Sequence, residues 1–276
     1  MSTGRDDEET GSDEPSDELR IAFEATVDEG VRRLTRSWPR LVATGLVGGI
    51  DISVGVFALL LTLQETHSVP VGALAFGIGF LALLLARSEL FTENFLVPIA
   101  AVVATKARWR DILRLWAGTA VTNYLGGWIV MAVALTAYPG IRNEAVSLAV
   151  YYPRLGIGWT SFASALMAGT VMTLMTWMER GTTSTTAKMV ASFSAAYVLA
   201  TGHLDHAIIS GLEMFAGLQA GAPFGYVDWA RTVGWAALGN MIGGIGFVTV
   251  LRIVQVGGRQ LSEERNRPLS EPRGGG

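Results

Sequence analysis

Apolar residues run along this chain in long stretches, not in the short periodic faces of a soluble fold. The first covers 41–63, a second begins at Val71, a third covers 115–137, a fourth 160–178, a fifth begins at Ala187 and a sixth covers 232–254. A membrane helix needs about 20 predominantly apolar residues. The pattern therefore predicts six spans, with both chain ends on one side of a lipid bilayer.

Two of the six are interrupted. VGALAFGIGFLALLLA (71–86) is followed by the polar RSELFTEN (87–94) and then by the apolar FLVPIAAVVA (95–104). AKMVASFSAAYVLATG (187–202) is followed by HLDHAIIS (203–210) and then GLEMFAGLQAGA (211–222). Each run is too long for one straight crossing and too short for two. A broken helix resolves this if its irregular middle is buried in protein or lines a cavity, because bare backbone cannot face lipid. The breaks sit at matching places. Glu89 and Asp205 are 116 residues apart, and the Asn-x-x-Gly-Gly motifs beginning at Asn123 and Asn240 are 117 apart. A tryptophan precedes each motif, Trp116 and Trp235. The chain thus reads as two three-span repeats, 41–137 and 160–254. Three is odd, so the second copy is expected to be inverted. Paired interrupted helices in an inverted repeat point to a transport site near the bilayer midplane.

The charges agree. Half of the 276 residues are hydrophobic, 16% are charged and cysteine is absent, which excludes a disulfide scaffold, a thiolate metal site and a cysteine nucleophile. Net charge is −3, which gives no case for nucleic acid. Residues 1–20 hold eight acids, whereas 41–105 hold five ionised side chains. Twelve Lys and Arg flank one side of the spans (Arg32 to Arg40, Lys106 to Arg114, Arg180, Lys188, Arg252, Arg259) against three on the other (Arg142, Arg154, Arg231). The positive-inside rule predicts cytoplasmic termini and a multi-pass protein of the cell (plasma) membrane. Residues 1–18 read as a disordered acidic tail, 19–40 as a cytoplasmic amphipathic helix on Leu19, Phe23, Val27, Val31 and Leu34, and 255–276 as a mobile cytoplasmic tail. The acidic start is not the pattern of a cleavable signal peptide.

His206, inside the second break, is the most informative residue. A neutral imidazole is cheap at membrane depth and can exchange a proton near neutral pH. It either contacts a substrate or bonds a backbone group freed by the break. Asp205 and Glu89 are placed to cap the exposed N–H groups of the half-helices. Arg87 either pairs with Glu89, Glu93 or Asp51, or lines the path and attracts anions. Asn123 and Asn240 can satisfy loop carbonyls, and the neighbouring glycines allow close helix packing. No phosphate loop, metal-ligand spacing or catalytic dyad is present, so neither an enzyme, a cofactor nor a metal is expected.

Ser88-Glu89-Leu90-Phe91-Thr92 in an interrupted second span, His206 in an interrupted fifth and Leu238-Gly239-Asn240-Met-Ile-Gly-Gly in the sixth resemble the formate/nitrite transporter family, over residues 41–254. The resemblance implies an all-α membrane protein. Its six transmembrane helices would form an aquaporin-like inverted 3+3 repeat, assembled as a homopentamer with one pathway per protomer. It also implies a channel or transporter for small monovalent weak-acid anions such as formate or nitrite. Carried over by position, Leu90, Phe91 and Thr92 would form a loop and constriction, Phe76, Phe80 and Leu199 an apolar constriction, Asp205-His206 the acid–histidine pair and Asn240 the sixth-span asparagine. Arg87, Glu93-Asn94 and Ile209-Ser210-Gly211 depart from the formate channels of the family and bear on the substrate. A channel for small neutral solutes and a non-transporting membrane scaffold are the alternative readings.

Overall fold

A computed structural model describes residues 17–268; the acidic stretch before Asp17 and the last residues after 268 lie outside it. The described residues contain helices and connecting turns only. In chain order they are α1 (Asp17–Leu34), α2 (Trp38–Thr66), α3 (Val69–Ala86), a 3-10 turn (Phe91–Phe95), α4 (Val97–Val103), α5 (Trp109–Ala137), α6 (Arg142–Ala149), α7 (Tyr151–Leu155), α8 (Trp159–Arg180), α9 (Thr185–Thr201), α10 (Ala207–Ala220), α11 (Tyr226–Met241), α12 (Leu251–Val256) and α13 (Gly258–Asn266). A π-helical stretch, Ile242–Val250, joins α11 to α12 and carries Gly243-Gly244. Helices α2, α3, α5, α8 and the continuous run 226–256 are long and apolar enough to cross a bilayer. The protein is a multi-pass membrane protein. The aromatic residues that open or follow these helices, Trp38, Trp109, Trp159, Tyr226 and Tyr138, are exposed, as interfacial anchors are.

The helix ends follow from local sequence. Pro39 and Pro70 sit in the first turns of α2 and α3, where a missing N–H costs nothing. α2 stops at His67 in the left-handed region (φ 51°). α3 stops at Arg87, also left-handed (φ 56°), and the N–H of Ser88 bonds back to the Leu83 carbonyl at 3.2 Å. The same device ends the segment before the second break. His203 has φ 44° and the N–H of Leu204 bonds the Leu199 carbonyl at 3.0 Å. A non-glycine residue in this region is uncommon, and here two stand 116 positions apart.

Contacts between the helices repeat as well. In the first half the side-chain amide of Asn123 donates to the carbonyls of Gly45 (2.8 Å) and Glu89 (2.9 Å) and its Oδ1 accepts the N–H of Phe91 (2.8 Å). In the second half Asn240 donates to Ala165 (2.9 Å) and Asp205 (2.9 Å) and accepts from Ala207 (2.8 Å). A Cβ on Gly49 would lie 2.0 Å from the Asn123 carbonyl, and one on Gly169 would lie 2.1 Å from that of Asn240. Only glycine lets α2 and α8 approach the asparagine helices this closely.

One buried apolar cluster fills the centre of the bundle and a second lies beneath α1. Phe23, Val27 and Leu34 of α1 pack with Val97, Ile99, Ala100 and Ala101 of α4, so α1 is docked on the bundle. Residues 258–266, expected in a mobile tail, instead form α13. Lys106 Nζ donates to the Arg265 carbonyl at 3.0 Å, and Arg267 pairs with Asp28 of α1 at 2.5 Å and Glu264 at 2.7 Å. These bonds tie the C-terminal helix to the same end of the bundle.

Candidate functional site

The two breaks meet in the core. Thr92, in the 3-10 turn of the first, and His206, which caps the N-terminus of α10 after the second, are both fully buried, with Thr92 Oγ1 and His206 Nε2 2.7 Å apart. The N–H of Ile209 donates to His206 Nδ1 at 3.2 Å. A ring nitrogen that accepts carries no proton, so the neutral ring holds its hydrogen on Nε2 and donates it to Thr92. The threonine hydroxyl hydrogen is then free to donate to a third group. Phe76, Phe80, Leu90, Phe91 and Leu199 belong to the main buried apolar cluster, as do Ile208 and Ile209 just after His206. The Phe76 and Phe80 rings lie 5.7 Å apart, and Phe91 stands edge-on to Phe95 at 5.1 Å. The structure therefore brings Thr92 and His206 into contact and places Leu90, Phe91, Phe76, Phe80 and Leu199 in one buried apolar core. Asn240 acts from behind, by holding the backbone on either side of His206.

The charged residues are arranged differently from the sequence expectations. Neither Glu89 nor Asp205 caps a half-helix with its side chain. The caps are Asn123, Asn240 and His206, and Glu93 accepts the Leu90 N–H at 3.4 Å. An asparagine amide offers donor and acceptor together, so one side chain serves an N–H and two carbonyls. Glu89 instead pairs with Arg36 (2.6 Å) and Arg33 (3.2 Å), and Glu93 with Arg33 (3.6 Å). Arg87 pairs with neither. It is exposed, and among the described residues it forms no ion pair. Asp51 accepts a bond from Ser88 at 2.5 Å. The backbone turn at Arg87 explains this outcome, since it sends residue 87 outward while residues 88 to 95 are buried. Arg154 is exposed on α7.

Arg33 and Arg36 were not singled out from the sequence. Arg33 is 4% exposed and also bonds Glu29 (3.0 Å) and Asn94 Oδ1 (3.0 Å). Asn94 in turn donates to the Leu90 carbonyl (3.2 Å) and accepts from Trp116 (2.9 Å). Helix α1 is thus bonded to the break that carries Thr92. Burial alone would raise the Glu29 carboxyl, but Arg33, Arg180 and Arg32 more than offset it and hold the group below the usual carboxylate range. The signal available in the sequence was the placement of Arg33 four residues after Glu29, on the face that carries Val27 and Leu34.

The site contains no group of metal-ligating side chains among the described residues. It offers one buried hydroxyl–imidazole pair whose threonine hydroxyl can donate to a small solute that accepts hydrogen bonds.

Comparison with known proteins agrees with this geometry. The formate channel BtFdhC of Bacillus thuringiensis is 24% identical over 239 residues, 82% of this chain and 90% of that protein. A solved FNT family ion channel superposes with a TM-score of 0.72 at 17% identity, covering 86% of this chain and 98% of the other. A pentameric formate channel solved with formate bound superposes at 0.65 and 18% identity, covering 79% and 96%. The family pattern described as formate/nitrite transporter matches residues 20–254, most of the chain, and with the paired breaks meeting at Thr92 and His206 this establishes that the protein belongs to the formate/nitrite transporter family.

Proposed function

We propose that the protein conducts a small monovalent weak acid, formate, nitrite or a similar species, across the plasma membrane. The pathway lies inside each protomer, in a ring of five copies with both termini cytoplasmic and the two repeats inverted. The observation that carries this reading is the buried Thr92–His206 pair at 2.7 Å, flanked in the chain by Leu90, Phe91, Ile208 and Ile209 of the main apolar cluster. A bare anion entering so buried a place loses its hydration and, among the described residues, no ion pair or bonded cation is found at Thr92 or His206 to replace it. A neutral acid loses much less. The free threonine hydroxyl meets the incoming carboxylate or nitrite oxygen, and the anion takes a proton as it passes the pair. Because Nδ1 is occupied by the Ile209 N–H, the imidazole stays neutral and serves as a fixed donor behind Thr92, so the proton itself arrives from elsewhere.

The test is uptake of formate and nitrite into proteoliposomes from about pH 5 to 8. Wild-type uptake should rise as the pH falls. Assembled His206→Phe and Thr92→Val variants should each lose about tenfold or more, equivalent to about 1.4 kcal/mol of barrier. Uptake independent of pH, with equal passage of an uncharged solute of the same size, would favour a neutral-solute channel. Absence of any flux would leave a membrane scaffold.

A further inference from the structure

Helices α2 and α5 begin at the same end of the bundle and run side by side. A Cβ on Gly118 of α5 would press on Leu41 of α2 and reach Cζ3 of Trp38 at 3.4 Å, and one on Gly45 of α2 would press on Thr122 of α5. This register sets the first turn of α2 beside the second turn of α5, so α5 extends about one and a half turns ahead of its neighbour.

Arg114 bridges the cleft where the two helices start. Its guanidinium lies over the Trp38 ring, 5.7 Å from the centroid, and its Nη2 donates to the Leu34 carbonyl at the end of α1 at 2.5 Å. Its Nε is buried with no hydrogen-bond partner. Arg110 is one turn earlier on the same face of α5, Arg108 stands just before that helix, and Arg40 lies in the first turn of α2. Arg40, Arg108 and Arg110 are exposed. Elsewhere at this end of the bundle arginines meet carboxylates. Arg33 and Arg36 pair with Glu89, Arg180 lies 3.9 Å from Glu29, and Arg267 pairs with Asp28 and Glu264. Arg40, Arg108, Arg110 and Arg114 form no ion pair among the described residues, and Asp111, the single acid in these turns, pairs with none of them.

Cations in adjoining turns repel one another. The helix starts add partial positive charge, since neither Ser37 nor Arg108 makes a side-chain cap. Insertion topology explains why cations collect at this end, but not why these four are left without an acid while their neighbours are paired. The missing partner is an anion from outside the chain, and the surroundings choose it. Trp38 and Trp109 are exposed beside the arginines, at the depth where indole rings meet lipid headgroups. Further along the same two helices Val42, Leu113 and Val121 are exposed. A free phosphate has no use for these apolar surfaces, whereas a phospholipid sets its phosphodiester on the arginines and its acyl chains along the helices.

We propose that the cleft between the starts of α2 and α5 binds an anionic phospholipid, with Arg40, Arg110 and Arg114 on the phosphodiester and Trp38 and Trp109 at headgroup depth. Because Arg114 also holds the Leu34 carbonyl, the lipid braces the end of α1. The inference needs only the membrane setting and is independent of what the protein conducts.

The test is native mass spectrometry of the full-length protein in mild detergent, titrated with phosphatidylglycerol or with phosphatidylcholine of the same acyl chains. The wild type should retain phosphatidylglycerol about tenfold more tightly, and that lipid should raise its thermal midpoint. Arg40→Gln combined with Arg110→Gln removes two exposed side chains that hold no ion pair, and should weaken phosphatidylglycerol retention about tenfold. Lys188→Gln combined with Arg252→Gln removes the same charge from α9 and α12 and should leave retention unchanged. Equal retention of the two lipids, or an equal loss in both double variants, overturns the proposal by making the attraction diffuse. Inorganic phosphate that raises the midpoint as far as the lipid does overturns the lipid as occupant. Smaller assemblies in the Arg40→Gln and Arg110→Gln variant, with lipid retention unchanged, overturn it in favour of a neighbouring copy of the chain. Should that variant fail to assemble, Arg110→Gln alone decides by the same retention measurement.

Discussion

Arg33 is the cation on which the first break depends. Replacing it with leucine removes a guanidinium from among Glu29, Glu89 and Glu93. The three acids are not left equally exposed. Glu29 keeps Arg32, with Arg180 at 3.9 Å, and Glu89 keeps Arg36 at 2.6 Å. Glu93, only 8% exposed at its side chain, keeps the Leu90 N–H at 3.4 Å and no cation. The change therefore leaves one buried carboxylate uncompensated and orphans the bond to Asn94. Breaking a buried pair in this way costs about 3–5 kcal/mol, a large fraction of a typical folding free energy of about 5–15 kcal/mol. Unfolding in mixed detergent micelles should register this loss for Arg33→Leu. Adding Glu93→Gln should recover part of it, because the stranded charge is then gone. A loss below about 1 kcal/mol, the size of an exposed ion pair, would refute the reasoning and place Arg33 in an effectively solvated site. The pH dependence carries its own sign. Glu29 is held below its ordinary value, so its contribution is fully present above the unfolded carboxylate pKa of about 4.3. That contribution fades as the pH falls through the lower folded value. The thermal midpoint should be insensitive to Glu29 between neutral pH and about 5, and Glu29→Gln should flatten the acid limb below about 4.

Two further expectations follow from the repeat and from the turn at Arg87. Asn123→Leu and Asn240→Leu should destabilise the protein to a similar extent, since each orphans one N–H and two carbonyls at about 1–3 kcal/mol per buried group; markedly unequal losses by the same unfolding measurement would show that the matched contacts are not energetically matched. Arg87→Leu, expected from the sequence to break a buried pair, should leave the thermal midpoint within a few degrees of wild type, and Asp51→Asn added to it should show no coupling, because Asp51 is bonded to Ser88 and Arg87 has no ion pair among the described residues.

Much of the architecture is legible in residue order because membrane insertion acts on the chain locally. A segment of about 20 apolar residues spans wherever it occurs, so the positions of α2, α5 and α8 follow from the sequence with no knowledge of their neighbours. The breaks are legible for the same reason, as polar residues set inside apolar runs. The spacing of Asn123 and Asn240 exposes the repeat even though the bonds they make join separate helices. Partner choice is a different kind of information. Arg87 lies beside two acids in sequence, Glu89 and Glu93, yet its left-handed backbone turns it away from them, and the cations that pair with Glu89 come from α1 and the turn after it, more than fifty residues earlier. Glu213 finds Tyr152 sixty-one residues away. Its place alone in an apolar stretch marks it as costly, but nothing local says what offsets that cost. The histidine shows both sides. Its rarity and its place in a break single it out from sequence, whereas its neutral tautomer depends on two distances set by the fold, to Ile209 and to Thr92. Hydrophobic content is a property of a segment and survives in one dimension, whereas charge pairing depends on distances of a few ångströms between segments that only their packing brings together.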